Sequence, residues 1–393
     1  MRKTEHIIFL IAATVLMAAC RKPYTPPAIS SPGIYLVVEG VINNGSDSTI
    51  IKLSRTVNLA SNSVSKPVTG ATVLVQSNQN TSFPLVERKP GTYSCPGVNL
   101  NNSYQYRLSI NTGSEQYQSD YVPVLNSPPI DSVGYTIASN GLNIYSNTHD
   151  PTNTINYYRW DYQETWLYHP LIASGYVSNG DTVLARTPAQ QQSYCWPSDT
   201  SSTILLNSSA RLSKAVIVDN PITFVASTSQ KLGDEYTILV RQYALTPDAY
   251  TFWQILKTNT ENLGSIFDAQ PSQLPGNLHS LTNPKEPVIG YISAGSVASK
   301  RIFIHNQQLP AWLPTPLYIC QLDTFSYAAV IGDQIVNQVN EFINYNKGAG
   351  SNPYIPVNAL TDRLGNITAF TASTPECTEC NIFGPNVEPS FWK

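Results

Sequence analysis

The chain has 393 residues, 23 of them Lys or Arg and 26 Asp or Glu, for a net charge of −3. Only 12% of residues are charged, against about 25% in an ordinary soluble domain, so surface polarity falls to Asn, Ser, Thr, Gln and Tyr. With no basic stripe to displace phosphate counterions, nucleic acid is excluded as an expected partner.

Arg2 and Lys3 lead into an apolar stretch, Ile7 to Met17, which closes on Ala18, Ala19 and Cys20. A basic head, a short apolar run and small residues form the pattern of a secretory signal peptide over residues 1–19. The run falls short of the ~20 residues that a membrane span requires. Met17-Ala18-Ala19-Cys20 is similar to a bacterial lipobox, with Met17 where leucine is usual, so Cys20 is the expected lipidation site and new first residue. Residues 20–32 are rich in proline and read as an extended tether between the bilayer and the folded body. Removal of the leader takes Arg2, Lys3 and Glu5 with it and leaves 21 basic against 25 acidic residues.

Downstream, short β-branched and aromatic runs alternate with Asn- and Gly-rich turns: "YLVVEGVI" (35–42), "TIIKLSR" (49–55), "ATVLVQS" (71–77) and "YQYRLSIN" (104–111). Their spacing predicts an immunoglobulin-like β-sandwich over residues 33–125. The Pro-Pro break in "VPVLNSPPIDSVGY" (122–135) marks the boundary to a larger β-rich domain, residues 126–393. In "NYYRWDYQETWLYH" (156–169) a two-residue period puts Tyr158, Trp160, Tyr162, Glu164 and Trp166 on one face, expected to be core. Arg159 and Asp161, on the other face, read as a solvated pair. Residues 174–209 read as long loop with at most a hairpin, and "YTILVRQYAL" (236–245) is another strand.

Two helices are expected within this β pattern. Thr246-Pro247-Asp248 supplies an N-cap, a proline at the first helical position and an acid in the first turn, opening a helix over 247–264. Ile335, Val339, Phe342 and Ile343 at helical spacing predict a second over 333–346. Between them the turn-rich stretch "FDAQPSQLPGNLH" (267–279) makes Gln270, Pro271, Gln273 and Asn277 candidates for a ligand or partner loop, the alternative being a plain connector.

Of six cysteines, Cys20 is assigned to lipid, and Cys195, Cys320, Cys377 and Cys380 are disulfide candidates of open connectivity. Cys377-Thr378-Glu379-Cys380 lacks the further ligands of a zinc site, and the Pro375 before it argues that no helix starts there, as a redox pair would need. His149, His169, His279 and His305 form no metal or triad motif. No metal or cofactor is expected.

"YLVVEGVI", "IIKLSRT", "PVTGATVLV", "YYRWDYQETW" and Cys195-Trp196, with the block from "YTILVRQYALTPDAYTFWQILKTNTENLG" through "EPVIGYISAGSVASKRIFI" to "ECTEC" and "EPSFW", resemble an outer-membrane lipoprotein family of Bacteroidota. That family is catalogued as domain of unknown function 4249. The likeness spans roughly residues 30–393. It implies an outer-membrane lipoprotein encoded beside a TonB-dependent receptor, and hence a non-catalytic accessory that captures ligand or caps the barrel, more often at the cell surface than on the periplasmic face. Arg21 and Lys22 stand where many surface lipoproteins of the phylum carry acids. Asp131-Ser132-Val133 and Asp181-Thr182-Val183 match the phylum's O-glycosylation pattern at Ser132 and Thr182. The alternatives are a structural or assembly lipoprotein with no small ligand, and a hydrolase whose site the sequence does not display.

Overall fold

The computed structural model describes residues 34–57, 65–179, 181–261, 274, 276–340 and 354–392. The expected leader, Cys20 and the expected tether lie outside them. The chain is mainly β, and it begins with a sandwich. Strand Leu36–Asn43 pairs antiparallel with Thr49–Arg55, which pairs onward with Thr92–Cys95. Thr72–Ser77 pairs with Gln105–Asn111. Strand Ser82–Lys89 belongs to both layers, pairing with Val73–Gln76 through its first half and with Thr92–Ser94 through its second. Alternation does the sorting: in Thr49–Arg55 the side chains of Thr49, Ile51 and Leu53 are buried while Ile50 and Lys52 are exposed, as a sheet with one wet face requires. Leu36, Ile51, Val75, Tyr93, Leu108 and Tyr117 form the centre of the core.

Residues 277–296 return to this first sandwich rather than staying with the domain that contains them in sequence. Leu278–Ser280 adds to the Gln116–Ser119 strand on one edge, and Ala294–Gly295 runs parallel to Ile42–Asn43 on the other. Leu278, Val288, Ile292 and Ala294 join its core. One segment thus covers both open edges, which would otherwise present unpaired N–H and C=O groups. The expected division at 125/126 therefore does not hold for this stretch.

The second unit is also a two-layer arrangement. Ile130–Ala138, Gly141–His149 and Val216–Ala226 form one sheet. The other is built on Tyr157–Trp166, paired with Glu235–Ala244, which in turn pairs with Val297–His305. Tyr158, Trp160 and Tyr162 face inward, as their period predicts, and join Leu142, Ile144, Ile222 and Val240 in one buried cluster. The same period buries Glu164, whose carboxylate accepts hydrogen bonds from the Lys231 ammonium and the Tyr236 hydroxyl, both at 2.6 Å. Gln242, fully buried, accepts from the Trp160 indole (3.0 Å) and donates to the Pro128 carbonyl (2.9 Å) and to the Thr148 (3.1 Å) and Ser127 (3.2 Å) hydroxyls. It ties the Pro-Pro junction to the second core.

The helix Pro247–Glu261 follows at the expected place, with Thr246 Oγ1 accepting from Ala249 N–H as its cap; residues 262–264 lie outside the described set. The start of the second expected helix is corrected. Ala329–Ile331 and Gln334–Val336 form a hairpin about Gly332-Asp333, with Gly332 at φ +61°, so Ile335 belongs to a strand; helical backbone occupies 338–340, and residues 341–346 lie outside the described set. The Gly-Asp pair is a turn signal that outweighs the helical spacing of Ile335. Residues 174–209 hold the one hairpin allowed for them, Tyr176–Ser178 with Val183–Ala185, and add two short strands along the edge of Tyr157–Trp166.

The C-terminal part forms a small lobe around Val339 and Phe370, with Tyr176, Val183, Phe325 and Ala359 packed about them. So small a core needs staples, and two are present: Cys195–Cys380 and Cys320–Cys377. The CxxC cysteines do not pair with each other. A one-turn helix does start at Pro375, against expectation, because proline at a first helical position lacks only an N–H that would have no partner anyway. Cys95 is the free thiol among the described residues, and burial pushes its ionisation up, leaving it inert.

Candidate functional site

The outward face of the Tyr157–Trp166, Glu235–Ala244 and Val297–His305 strands carries the chain's most concentrated chemistry. Antiparallel register aligns Arg159 with Tyr243, Asp161 with Arg241, and Gln163 with Leu239. On the next strand Ser299 lies opposite Arg241, and Arg301 opposite Leu239. Three arginines on three strands therefore share a face with one aspartate.

Their environments differ. The Arg159 guanidinium lies between two rings, 4.1 Å from the centroid of Tyr243 and 4.5 Å from that of Trp253 on the helix. It sits 3.8 Å from Asp161, and its side chain is only 16% exposed. The expected solvated pair is thus a stacked, half-enclosed cation. Arg241 donates from Nε to Asp161 at 2.5 Å. Burial works against its charge, but the charge and hydrogen bond of Asp161 outweigh it and hold its pKa up. Tyr243 is pushed up to about 12, first by burial and then by Asp161. Arg301 stacks 3.7 Å from the Phe391 ring and donates to the Thr237 hydroxyl at 3.4 Å. Burial and then the like charge of Arg241 lower its pKa, and among the described residues no carboxylate pairs with it. Trp253 on the helix flanks the face at one end. At the other, Trp392 packs against Phe303 at 5.9 Å.

A cleft of about 490 Å³ opens in the C-terminal lobe, lined by Arg186, Gln190, Gln192, Ile355, Pro356 and Glu379. Its arginine is fully committed, to Glu379, Ser174, Tyr176 and Gln190, so the cleft offers a ligand no unspent cation.

The residues singled out in the sequence do not assemble at this face. Gln270, Pro271 and Gln273 lie outside the described residues. Asn277 is 5% exposed, accepting from Ile292 N–H (2.8 Å) and donating to Ile292 O (2.9 Å); it pins the returning segment and offers nothing to a ligand. Ser132 lies on a paired strand with its hydroxyl accepting from Asn147, whereas Thr182 is exposed at a hairpin turn. Asp150 makes the expected turn before a strand, accepting from the N–H groups of Thr152, Thr154 and Ile155. Among the described residues no cluster of three or more His, Cys, Asp or Glu is placed to hold a metal. Arg241 and Arg301 were missed; the available signal was a cation at the outward position of an otherwise apolar strand, in "ILVRQYAL" and "SKRIFI".

The family described as Domain of unknown function (DUF4249) matches residues 21–301, which contain the first sandwich, most of the second and all three arginines. The chain belongs to that family. No curated protein matches it. Among solved structures, a two-domain fibronectin type-III segment of chicken tenascin is similar at 12% identity, covering 53% of this chain and 90% of that one with a TM-score of 0.15.

Proposed function

We propose that this protein is an exported, lipid-anchored accessory of the outer membrane that works by holding a ligand or partner, not by catalysis. The observation that carries the reading is the pairing of all four candidate cysteines as Cys195–Cys380 and Cys320–Cys377, which suits an oxidising compartment and agrees with the leader that ends at Cys20. A face of stacked and paired arginines among aromatic rings suits binding, since it presents cations and ring surfaces and places no nucleophile beside a base. In this reading acylated Cys20 anchors the protein, a TonB-dependent receptor is the partner, and the cell surface is the expected side.

Two measurements test it. Mass spectrometry of the protein extracted from its native membrane is expected to find a diacyl- or triacyl-modified Cys20 as first residue, and an unmodified thiol or retained leader refutes the anchor. Crosslinking on intact cells followed by mild detergent extraction is expected to recover a TonB-dependent barrel; recovery only as a free monomer refutes the partnership.

A further inference from the structure

We infer that the face between Arg241 and Arg301 is a binding site for a ligand carboxylate. The inference deepens the ligand-holding part of the function proposed above. Arg241 and Arg301 are diagonal neighbours on adjacent strands, since Arg241 is opposite Ser299 and Leu239 opposite Arg301, a spacing of ~7–8 Å between positions. Asp161 is the acid bonded to Arg241, through Nε. Arg301 has ring and hydroxyl contacts but, among the described residues, no anion, and like charge and burial both disfavour its cation. A half-buried guanidinium beside another guanidinium is a standing electrostatic deficit, which a bound anion relieves.

Chemistry favours a carboxylate. The planar forks of two arginines match the two oxygens of a carboxylate, and Asp161 already shows that this face accepts one. Flanking rings, Phe391 over Arg301 and Tyr243 over Arg159, make the surroundings part apolar, where a monoanion costs less to desolvate than a dianionic phosphate. Exposed Ser299 adds a hydroxyl at the open side of the pair.

The test uses the full chain in mild detergent, with propionate as probe and propionamide as its neutral counterpart at equal ionic strength. Calorimetry is expected to show saturable propionate binding, absent for propionamide and weakened at least tenfold in Arg301→Gln. Ser299→Glu is read first without any ligand. Because it places a carboxylate beside both guanidinia from an exposed position, it is expected to raise the thermal midpoint by about 2–4 °C, and on addition of propionate to show no binding. Equal response to propionate and propionamide, or a Ser299→Glu protein no more stable than wild type, overturns the inference. Sulfate binding more tightly than propionate overturns the carboxylate assignment. None of these readouts depends on recovering a receptor, so the site and the proposed partnership fail separately.

Discussion

Replacing Gln242 by Leu removes the most connected buried amide in the structure while nearly conserving volume. One group then loses its only partner in the network, the Trp160 indole N–H, which costs about 1–3 kcal/mol when left buried and unpaired. The Pro128 carbonyl keeps the Ser127 hydroxyl as its donor and Thr148 keeps the Pro129 carbonyl as its acceptor, so these groups add little. Removing the amide's own desolvation and gaining an apolar contact returns about 1 kcal/mol, for a net loss of about 1 kcal/mol. Urea unfolding followed by tryptophan fluorescence reads this directly. Gln242→Glu sharpens the test. A carboxyl there meets one donor and a carbonyl, with no cation beside it, so its folded pKa rises above the unfolded value of about 4.3. Its deficit against wild type is then small below that value and grows as pH climbs toward the raised one. A Leu variant as stable as wild type, or a Glu variant whose deficit does not change with pH, refutes the account of this network.

Reducing the disulfides is expected to open the C-terminal lobe before either sandwich, because loops of 57 and 185 residues contribute on the order of 4–5 kcal/mol each to a lobe with a two-residue buried centre; hydrogen exchange with and without reductant locates the loss. Gly290→Ala is expected to cost more than about 2 kcal/mol, since Gly290 has φ +145° and an added Cβ would lie 2.2 Å from the Val38 carbonyl oxygen; thermal unfolding measures it, and protease cutting within 277–296 confirms where the damage falls. Alkaline stability should reflect Lys231 and Tyr236. Burial opposes the Lys231 charge, but the hydrogen bond and charge of Glu164 prevail and raise its pKa; burial and then Glu164 raise that of Tyr236. A raised folded pKa means stability that is complete below the unfolded value and lost as pH rises past it toward the folded one, so unfolding should accelerate above pH ~10. Glu164→Gln should flatten that slope, and an unchanged slope would refute the coupling.

Much of the fold is legible in the chain because alternation is a local property. Tyr158, Trp160 and Tyr162 are core for the reason their spacing states, and Thr246-Pro247-Asp248 opens a helix from local chemistry alone. Locality also sets the limit. Ile335 and Val339 fall at helical spacing by coincidence, and the Gly332-Asp333 turn places them in different elements. Asn277 looks like an exposed loop residue until Ile292 is brought against it from fifteen positions away.

Local sequence dictates the character of each segment: strands with one wet face, a capped helix, and a chain poor in charge. Those follow from contacts within a few residues, where side-chain period and turn chemistry act. Only the tertiary structure decided which cysteines meet, that residues 277–296 close both edges of a sandwich begun 240 residues earlier, and that Arg159, Arg241 and Arg301 share one face. Strand register across long loops sets those relations, and it is fixed by the burial of whole cores, to which no single stretch of sequence holds the key.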